Sequence, residues 1–400
     1  MTKQYDVIIV GAGVAGLSLA VALGEKKLKV ALLDAREFSE PNPGEHVRVS
    51  AINHVSEKIL TSLGVWQLLP ENTLSPFRKI SVWDANGGGE IQFDSTESAQ
   101  AYLGHIVPNH EMQRALLSRI KQLNTVDLKC PVEIKAVEVL EDKVDVKLPT
   151  CVLSAKLLVG ADGANSWVRE QCGFECELSP YNQVAVIATV KTEKRHAQVA
   201  RQCFQKNGPL AFLPLRDLNT SSIVWATTQE ESEKLLKLDE NVFLESLTNA
   251  FENKLGKVTD RLDAPKKFPL IMRHAKEYCK PRIALVGDAA HTIHPLAGQG
   301  LNMGILDVAC LAEVVSEISA EDRDIGRMNY LRVYERWRRG DNAMMIATMS
   351  GFRNLFGSQI DWLADIRSAG MDLVNNIPFL KNQFMRYAMG DRIRLPAMVK

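Results

Sequence analysis

Glycines combined with carboxylates at regular spacings occur in three places along this 400-residue chain. The first is Gly11-Ala12-Gly13-Val14-Ala15-Gly16, with Asp34 eighteen residues beyond Gly16. Gly11 allows a tight turn, Gly13 lets backbone N–H groups approach a pyrophosphate, and Gly16 lets a helix and a strand pack closely. Asp34 would accept hydrogen bonds from a ribose, which favours an unphosphorylated sugar as in FAD or NAD, although Arg36 beside it leaves a 2′-phosphate acceptable. Arg48 can reach the same pyrophosphate, and a surface salt bridge is its competing reading. The second place is Gly160-Ala161-Asp162-Gly163, where Asp162 is either a ligand contact or a helix N-cap and Gly163 supplies a positive φ. The third is Gly287-Asp288, followed by His291, His294, Pro295 and Gly298-Gln299-Gly300-Leu301-Asn302. The HxxH spacing of the histidines suggests a metal, but no third ligand is near and the segment is not regular helix, so a metal site is rejected.

These residues need elements to hold them. Tyr5–Val10 is a β-branched run bounded by glycine, the pattern of a buried parallel strand. Leu17–Leu23 has helical spacing and Lys29–Leu33 is the next strand, so the first motif sits on a strand–turn–helix–strand unit. Arg48–Ile52 leads into a helical stretch ending near Trp66. Ile80–Trp83 and Glu90–Phe93 flank Asn86–Gly89 as a hairpin. The spacing predicts a helix over His110–Leu123, strands over Val132–Val139, Val144–Leu148 and Thr150–Leu153, and a buried strand over Lys156–Gly160. From Tyr181 to about Phe268 strand-like runs dominate, with one helix from about Glu230 to Leu247. In the third motif a strand (Ile283–Val286) runs into a loop and then a helix N-terminus near Leu301, which suits an anion.

The chain is long enough for two domains. Its 48 basic and 48 acidic residues cancel, which argues against a nucleic-acid partner. The seven scattered cysteines read as reduced thiols of a cytosolic protein. The immediate start of a strand leaves no room for a signal peptide, and no run is apolar enough to span a bilayer. Gly326–Lys400 reads as helical and carries 12 Lys/Arg against 6 Asp/Glu. Its cluster Arg336-Trp337-Arg338-Arg339, with Phe352, Leu355, Phe356, Ile360 and Leu363 near one face, fits either an anionic membrane surface or packing on the body or a second subunit.

The three motifs in this order, GAGVAG with Asp34, GADGANSWVR at 160–169 and GDAAHTIHPLAGQGLNMG at 287–304, resemble the flavin-dependent aromatic hydroxylases of the para-hydroxybenzoate hydroxylase fold. Within them the chain is most similar to the ubiquinone-biosynthesis hydroxylases, through Arg48–Asn53, Leu63–Trp66, Phe212–Leu215, His294–Gly300 and Arg386–Gly390. Among these the member acting at C5 of a polyprenylphenol ring is favoured, with the C6 and C1 enzymes as relatives.

The resemblance implies an α/β fold: a Rossmann-like FAD-binding domain (1–75, 101–180, 273–345), an inserted β-sheet substrate domain (76–100, 181–272) and a helical C-terminal region (346–400). It implies Gly11, Gly13, Ala15, Gly16 and Arg48 at the FAD pyrophosphate, and Asp34 and Arg36 at the adenosine ribose. Asn109 falls at a further FAD contact. Asp162 would support FAD and a transient NAD(P)H, Asp288 the ribityl chain, and the backbone of Gly298, Gln299, Gly300, Leu301 and Asn302 the pyrimidine edge. Phe212, Leu213 and Pro214 would line the substrate side and Pro295 the oxygen-transfer site. His294 is the candidate for deprotonating the phenol, and His291 is read as structural, bonded to backbone carbonyls.

An electrophilic oxygen lies beyond any side chain, so the implied reaction uses NAD(P)H, FAD and O2 through a flavin C4a-hydroperoxide. The implied partners are a polyprenylphenol and other ubiquinone-biosynthesis proteins, with a homo-oligomer and peripheral contact with the inner membrane as further expectations. Another FAD-dependent phenol hydroxylase, a reductase or an epoxidase on this fold, or a flavin-binding scaffold without turnover, are the alternatives; the WxWxIP of flavin halogenases is absent.

Overall fold

The structure, a computed structural model, describes residues 2–39, 48–85, 89–293, 298–357, 389–390 and 394–399, the last turns to 357 by their backbone alone. Its helices are α1 (Val14–Glu25), α2 (His54–Ser62), α3 (Asn109–Ile120), α4 (Trp167–Gln171), α5 (Gln229–Lys237), α6 (Glu240–Ala250), α7 (Gln299–Ala320) and α8 (Met328–Gly357).

Five strands run parallel in the order Ile283–Leu285, Val152–Gly160, Thr2–Val10, Val30–Leu33, Val126–Lys129. Their innermost parts are continuous apolar runs: Val7–Ile9 and Val30–Leu33 are fully buried. Helix α1 is buried almost all round, from Val14 to Gly24, and packs on α3 and α7. The register decides the site: Val10 pairs with Gly160 and Leu33, and Gly160 pairs with Leu285. Three strands distant in sequence therefore end level, and the turn after each opens at one edge of the sheet.

A second sheet of nine strands is built on the long antiparallel pair Cys176–Thr192 and Lys266–Ala275. One face packs on α5 and α6 through Leu210, Phe212, Phe243 and Phe251. Its other face carries Leu213 and Leu215 against a small sheet of Val49–Asn53, Gly104–Pro108 and Ser75–Phe77.

Several expectations need correction. The helix over Glu230–Leu247 is two, because Leu238 turns extended (ψ 143°) and Asp239 starts α6. Thr150–Leu153 and Lys156–Gly160 belong to one strand, Val152–Gly160, held straight by its parallel neighbour. Arg48–Ile52 does lead into a helix, through a strand Val49–Asn53 paired with Gly104–Pro108, but that helix, α2, already ends at Ser62. Arg338 is not part of an exposed basic cluster: it is 1% exposed, while Arg336 and Arg339 face solvent. The tip of the hairpin at 86–88 and the residues Ile360, Leu363 and Arg386 lie outside the described residues, as do the side chains of Phe352, Leu355 and Phe356.

Candidate functional site

The first turn is built by exclusion. Gly11 has φ +102°, and a Cβ there would lie 2.4 Å from the Ala161 carbonyl oxygen. A Cβ on Gly16 would lie 1.9 Å from the Gly11 oxygen, so strand, helix and the second motif are in backbone contact. Gly13 differs: nothing lies within 4 Å of its Cβ direction. It is the N-cap of α1, with no side-chain cap and no acid in the first turn, leaving N–H groups for an anion. The Ala15 methyl instead faces the Gly287 and Gly304 backbones, so only its N–H is available.

Asp34 shapes this turn from below. Its Oδ2 accepts from Ala12 N at 2.7 Å and its Oδ1 from Arg36 N at 2.9 Å. A carboxylate has about four acceptor positions, so ribose hydroxyls can still be accepted. Arg36 contributes its backbone N–H here, and its side chain is exposed.

The second motif is mostly scaffold. Asp162 accepts from Ser166 Oγ at 2.5 Å and from Val168 N at 3.0 Å, and Ser166 caps Arg169 N. The Asp162 carboxylate thus stabilises the start of α4, and Gly163 has φ +83°. Arg169 donates to Ala164 O and Ala289 O, both at 2.8 Å, and so ties this turn to the third motif.

In the third motif Asp288 sits in the middle of a short 3-10 turn, Gly287–Ala289, half-exposed and without a hydrogen bond among the described residues. Gly298 has φ +62°, and a Cβ there would lie 2.9 Å from the Ala51 methyl. It is the N-cap of α7, again with no side-chain cap and no acid following, and Gly300 has open space where a Cβ would point. Gln299 is buried and Leu301 half-buried. Asn302 is spent internally: its Nδ2 donates to Ala51 O (2.8 Å) and Gly298 O (3.1 Å), and its Oδ1 accepts from Asn53 N (3.0 Å). The Asn302 side chain is therefore committed to the protein, which leaves the backbone of this turn as what a ligand could meet. His294 and Pro295 lie outside the described residues.

Asn109 and Arg48 meet across the small sheet, Asn109 N donating to Arg48 O at 2.9 Å. The Asn109 Oδ1 is buried with no partner among the described residues, and Arg48 is exposed. An acceptor and a carboxylate (Asp288) without partners among the described residues, two helix N-termini without a side-chain cap and two open glycines fit an extended ligand with phosphates and hydroxyls. FAD is such a ligand.

The substrate-side expectation divides. Phe212 is 1% exposed and stacks on Phe251 with centroids 3.8 Å apart, in the core under α6. It cannot line a substrate site, and Pro214 shares its face by strand alternation. Leu213 points the other way, into the cluster containing Ala51 and Ile106.

His291 is structural, but its partner is not a backbone carbonyl. It is 1% exposed, and its Nε2 lies 2.5 Å from Asp307 Oδ2. Asp307 and Arg338 escaped the sequence reading. A signal existed for Asp307, the one acid in the apolar stretch Met303–Leu311 of α7. Burial alone would raise its carboxyl, but His291 and Arg338 outweigh that and hold it at about 2.

A family model described as an FAD binding domain matches residues 4–342. The chain is 34% identical to 3-demethoxyubiquinol 3-hydroxylase of Escherichia coli, covering 98% of this chain and 100% of the relative. It is 36% identical to ubiquinone hydroxylase UbiL of Rhodospirillum rubrum (97% and 90% covered) and 32% identical to the human mitochondrial ubiquinone biosynthesis monooxygenase COQ6 (96% and 92%). Among solved structures, p-nitrophenol 4-monooxygenase of Pseudomonas putida superposes with TM-score 0.80 at 17% identity over 98% of this chain and all of that one. Klebsiella pneumoniae HpxO, solved with FAD and uric acid, gives 0.75 at 19% identity, with 97% and 96% covered. At such identities the two structures speak for the fold alone.

Proposed function

The chain belongs to the family of FAD-dependent ubiquinone-biosynthesis hydroxylases, and we propose that it hydroxylates a polyprenylphenol intermediate at ring C5, in preference to C6 or C1. It is a flavin monooxygenase of p-hydroxybenzoate hydroxylase-type fold acting on ubiquinone-biosynthesis intermediates, with O2 and a reductant as co-substrates. The observation that carries the substrate class is identity of a third or more across nearly the whole of both chains. The preference for C5 rests on overall likeness to the member acting there, while Arg48–Asn53 and Phe212–Leu215 speak only for the ubiquinone-biosynthesis subgroup.

Bound FAD, reduced by NAD(P)H, activates O2 so that one oxygen atom reaches an electron-rich ring carbon and the other leaves as water. The protein binds, orients and shields. The uncapped N–H groups of α1 and the side chain of Arg48 hold the pyrophosphate, Asp34 the adenosine ribose and Asp288 the ribityl hydroxyls. Asn109 Oδ1 accepts a further donor from the cofactor. The N-terminus of α7, Gly298–Asn302, faces negative charge at the pyrimidine edge with N–H groups that are already oriented. Leu213 and the apolar residues around it exclude water from the ring. His294 accepts the phenol proton beside Pro295.

The enzyme works with other ubiquinone-biosynthesis proteins, as a homo-oligomer, on the cytoplasmic side of the inner membrane, where exposed Arg332, Arg336 and Arg339 of α8 can meet anionic lipid. No described helix is long and apolar enough to cross a membrane.

Quinone profiling by mass spectrometry in cells lacking the protein tests the reading, because the accumulating intermediate reveals the missing hydroxyl. A polyprenylphenol lacking the C5 oxygen is expected. One lacking the C6 or C1 oxygen would reassign the position, and an unchanged quinone profile would sink the substrate class. Purified protein should consume NAD(P)H and O2 faster when a phenol is added, whereas flavin that stays oxidised under both conditions would indicate a scaffold.

A further inference from the structure

Directly under the third motif lies a set of buried polar groups that the reaction does not use. Asp307 on α7 is fully buried, and its two oxygens face opposite ways in function. Oδ1 accepts from Arg338 Nε (2.7 Å) and Asn342 Nδ2 (3.1 Å), both on α8. Oδ2 accepts from Gly287 N (3.1 Å) and lies 2.5 Å from His291 Nε2. One carboxylate oxygen thus grips both ends of the segment that carries Asp288. Helix α8 adds further clamps from the same face: Tyr334 Oη donates to Leu285 O (2.8 Å), and Glu335 accepts from Tyr278 N and Cys279 N (both 3.0 Å).

We infer that Asp307 is a positioning residue for the cofactor, holding the Gly287–His291 segment in its binding pose while Arg338 of α8 holds Asp307. A pair serving stability alone would need only the oxygen facing Arg338. Here the second oxygen is committed to the loop, and a one-residue shift of α8 would withdraw Arg338 and Asn342 together. The other ring nitrogen of His291, Nδ1, is buried without a partner among the described residues. The inference concerns FAD binding and does not depend on which ring carbon is hydroxylated.

The test separates positioning from bulk stability in the full chain. Asp307→Leu combined with Arg338→Met removes both charges and leaves no buried ion unpaired, but Gly287 N, His291 Nε2 and Asn342 Nδ2 lose their acceptor, so the apoprotein should melt lower and FAD binding is read well below that midpoint, where the chain is folded. The loop still loses its acceptor, and the FAD Kd, read by flavin fluorescence on reconstitution, should rise about tenfold or more, equivalent to about 1.4 kcal/mol per tenfold. His291→Leu and His291→Gln leave the Asp307–Arg338 pair intact. The leucine variant should bind FAD about tenfold more weakly with an altered visible flavin spectrum, and glutamine, which keeps a donor, should recover to within about threefold. Wild-type FAD affinity in the double variant or in His291→Leu would overturn the inference. If the double variant does not fold, the two His291 variants decide.

Discussion

Asn302→Ala deletes a buried amide whose three hydrogen bonds hold the start of α7 against the strand Val49–Asn53. The side chain is 5% exposed, so water does not replace what is lost. A buried group left without its partner costs about 1–3 kcal/mol. The Ala51 and Gly298 carbonyls are half-buried and keep a second lone pair, which puts each near the low end, and the Asn53 N–H lies deeper. The total is about 3–5 kcal/mol of stability. The same change frees Gly298, whose positive φ and 2.9 Å approach to the Ala51 methyl set the direction of the α7 N–H groups. Apoprotein melting and FAD titration should therefore both worsen. Asn302→Asp sharpens the test, because one oxygen can still accept from Asn53 N while the other is pressed against two carbonyl oxygens. It should be no better than alanine despite its matching shape. Wild-type melting and FAD affinity in Asn302→Ala would refute the clamp.

Four further outcomes follow from the same geometry. Gly13→Ala should fold with an unchanged apoprotein melt, since nothing in the protein meets the new methyl, yet bind FAD more weakly by titration. Gly16→Ala, which drives a methyl onto the Gly11 carbonyl, should fail in both soluble yield and FAD content. Asp288→Ala should purify without yellow colour, and a variant with full flavin absorbance would remove the ribityl role. Asp307 is held at about 2, below its ordinary 3.8, so the stability it contributes is complete above about pH 4 and fades as pH falls toward 2. Denaturant unfolding measured across that window should show a shallower pH dependence in Asp307→Asn than in wild type.

What was readable without the structure is what depends on short stretches of chain. Gly11, Gly13 and Gly16 each signal a local backbone demand, and the built turn meets each demand in turn. Asp288 at the end of a buried strand and Gly298 before a helix are equally local, because strand, turn and helix N-terminus are set by neighbouring residues. The hairpin over Ile80–Phe93 was legible for the same reason, and its two strands pair as antiparallel neighbours.

Other features depend on contacts between residues far apart. The level ends of three parallel strands come from the pairing of Val10 with Gly160 and of Gly160 with Leu285, which no single stretch encodes. Phe212 and Leu213 are both apolar, so only the sheet's placement between α6 and the small sheet decides which of them can face a substrate. Arg338 reads as one of three surface arginines until α8 is laid on α7 and its guanidinium meets Asp307, thirty-one residues earlier. The chain's own chemistry determined that glycines and carboxylates would gather at three strand-to-helix turns. Only the tertiary packing decided which charges are buried together, because the desolvation that makes such a pair matter exists only once distant helices have closed over it.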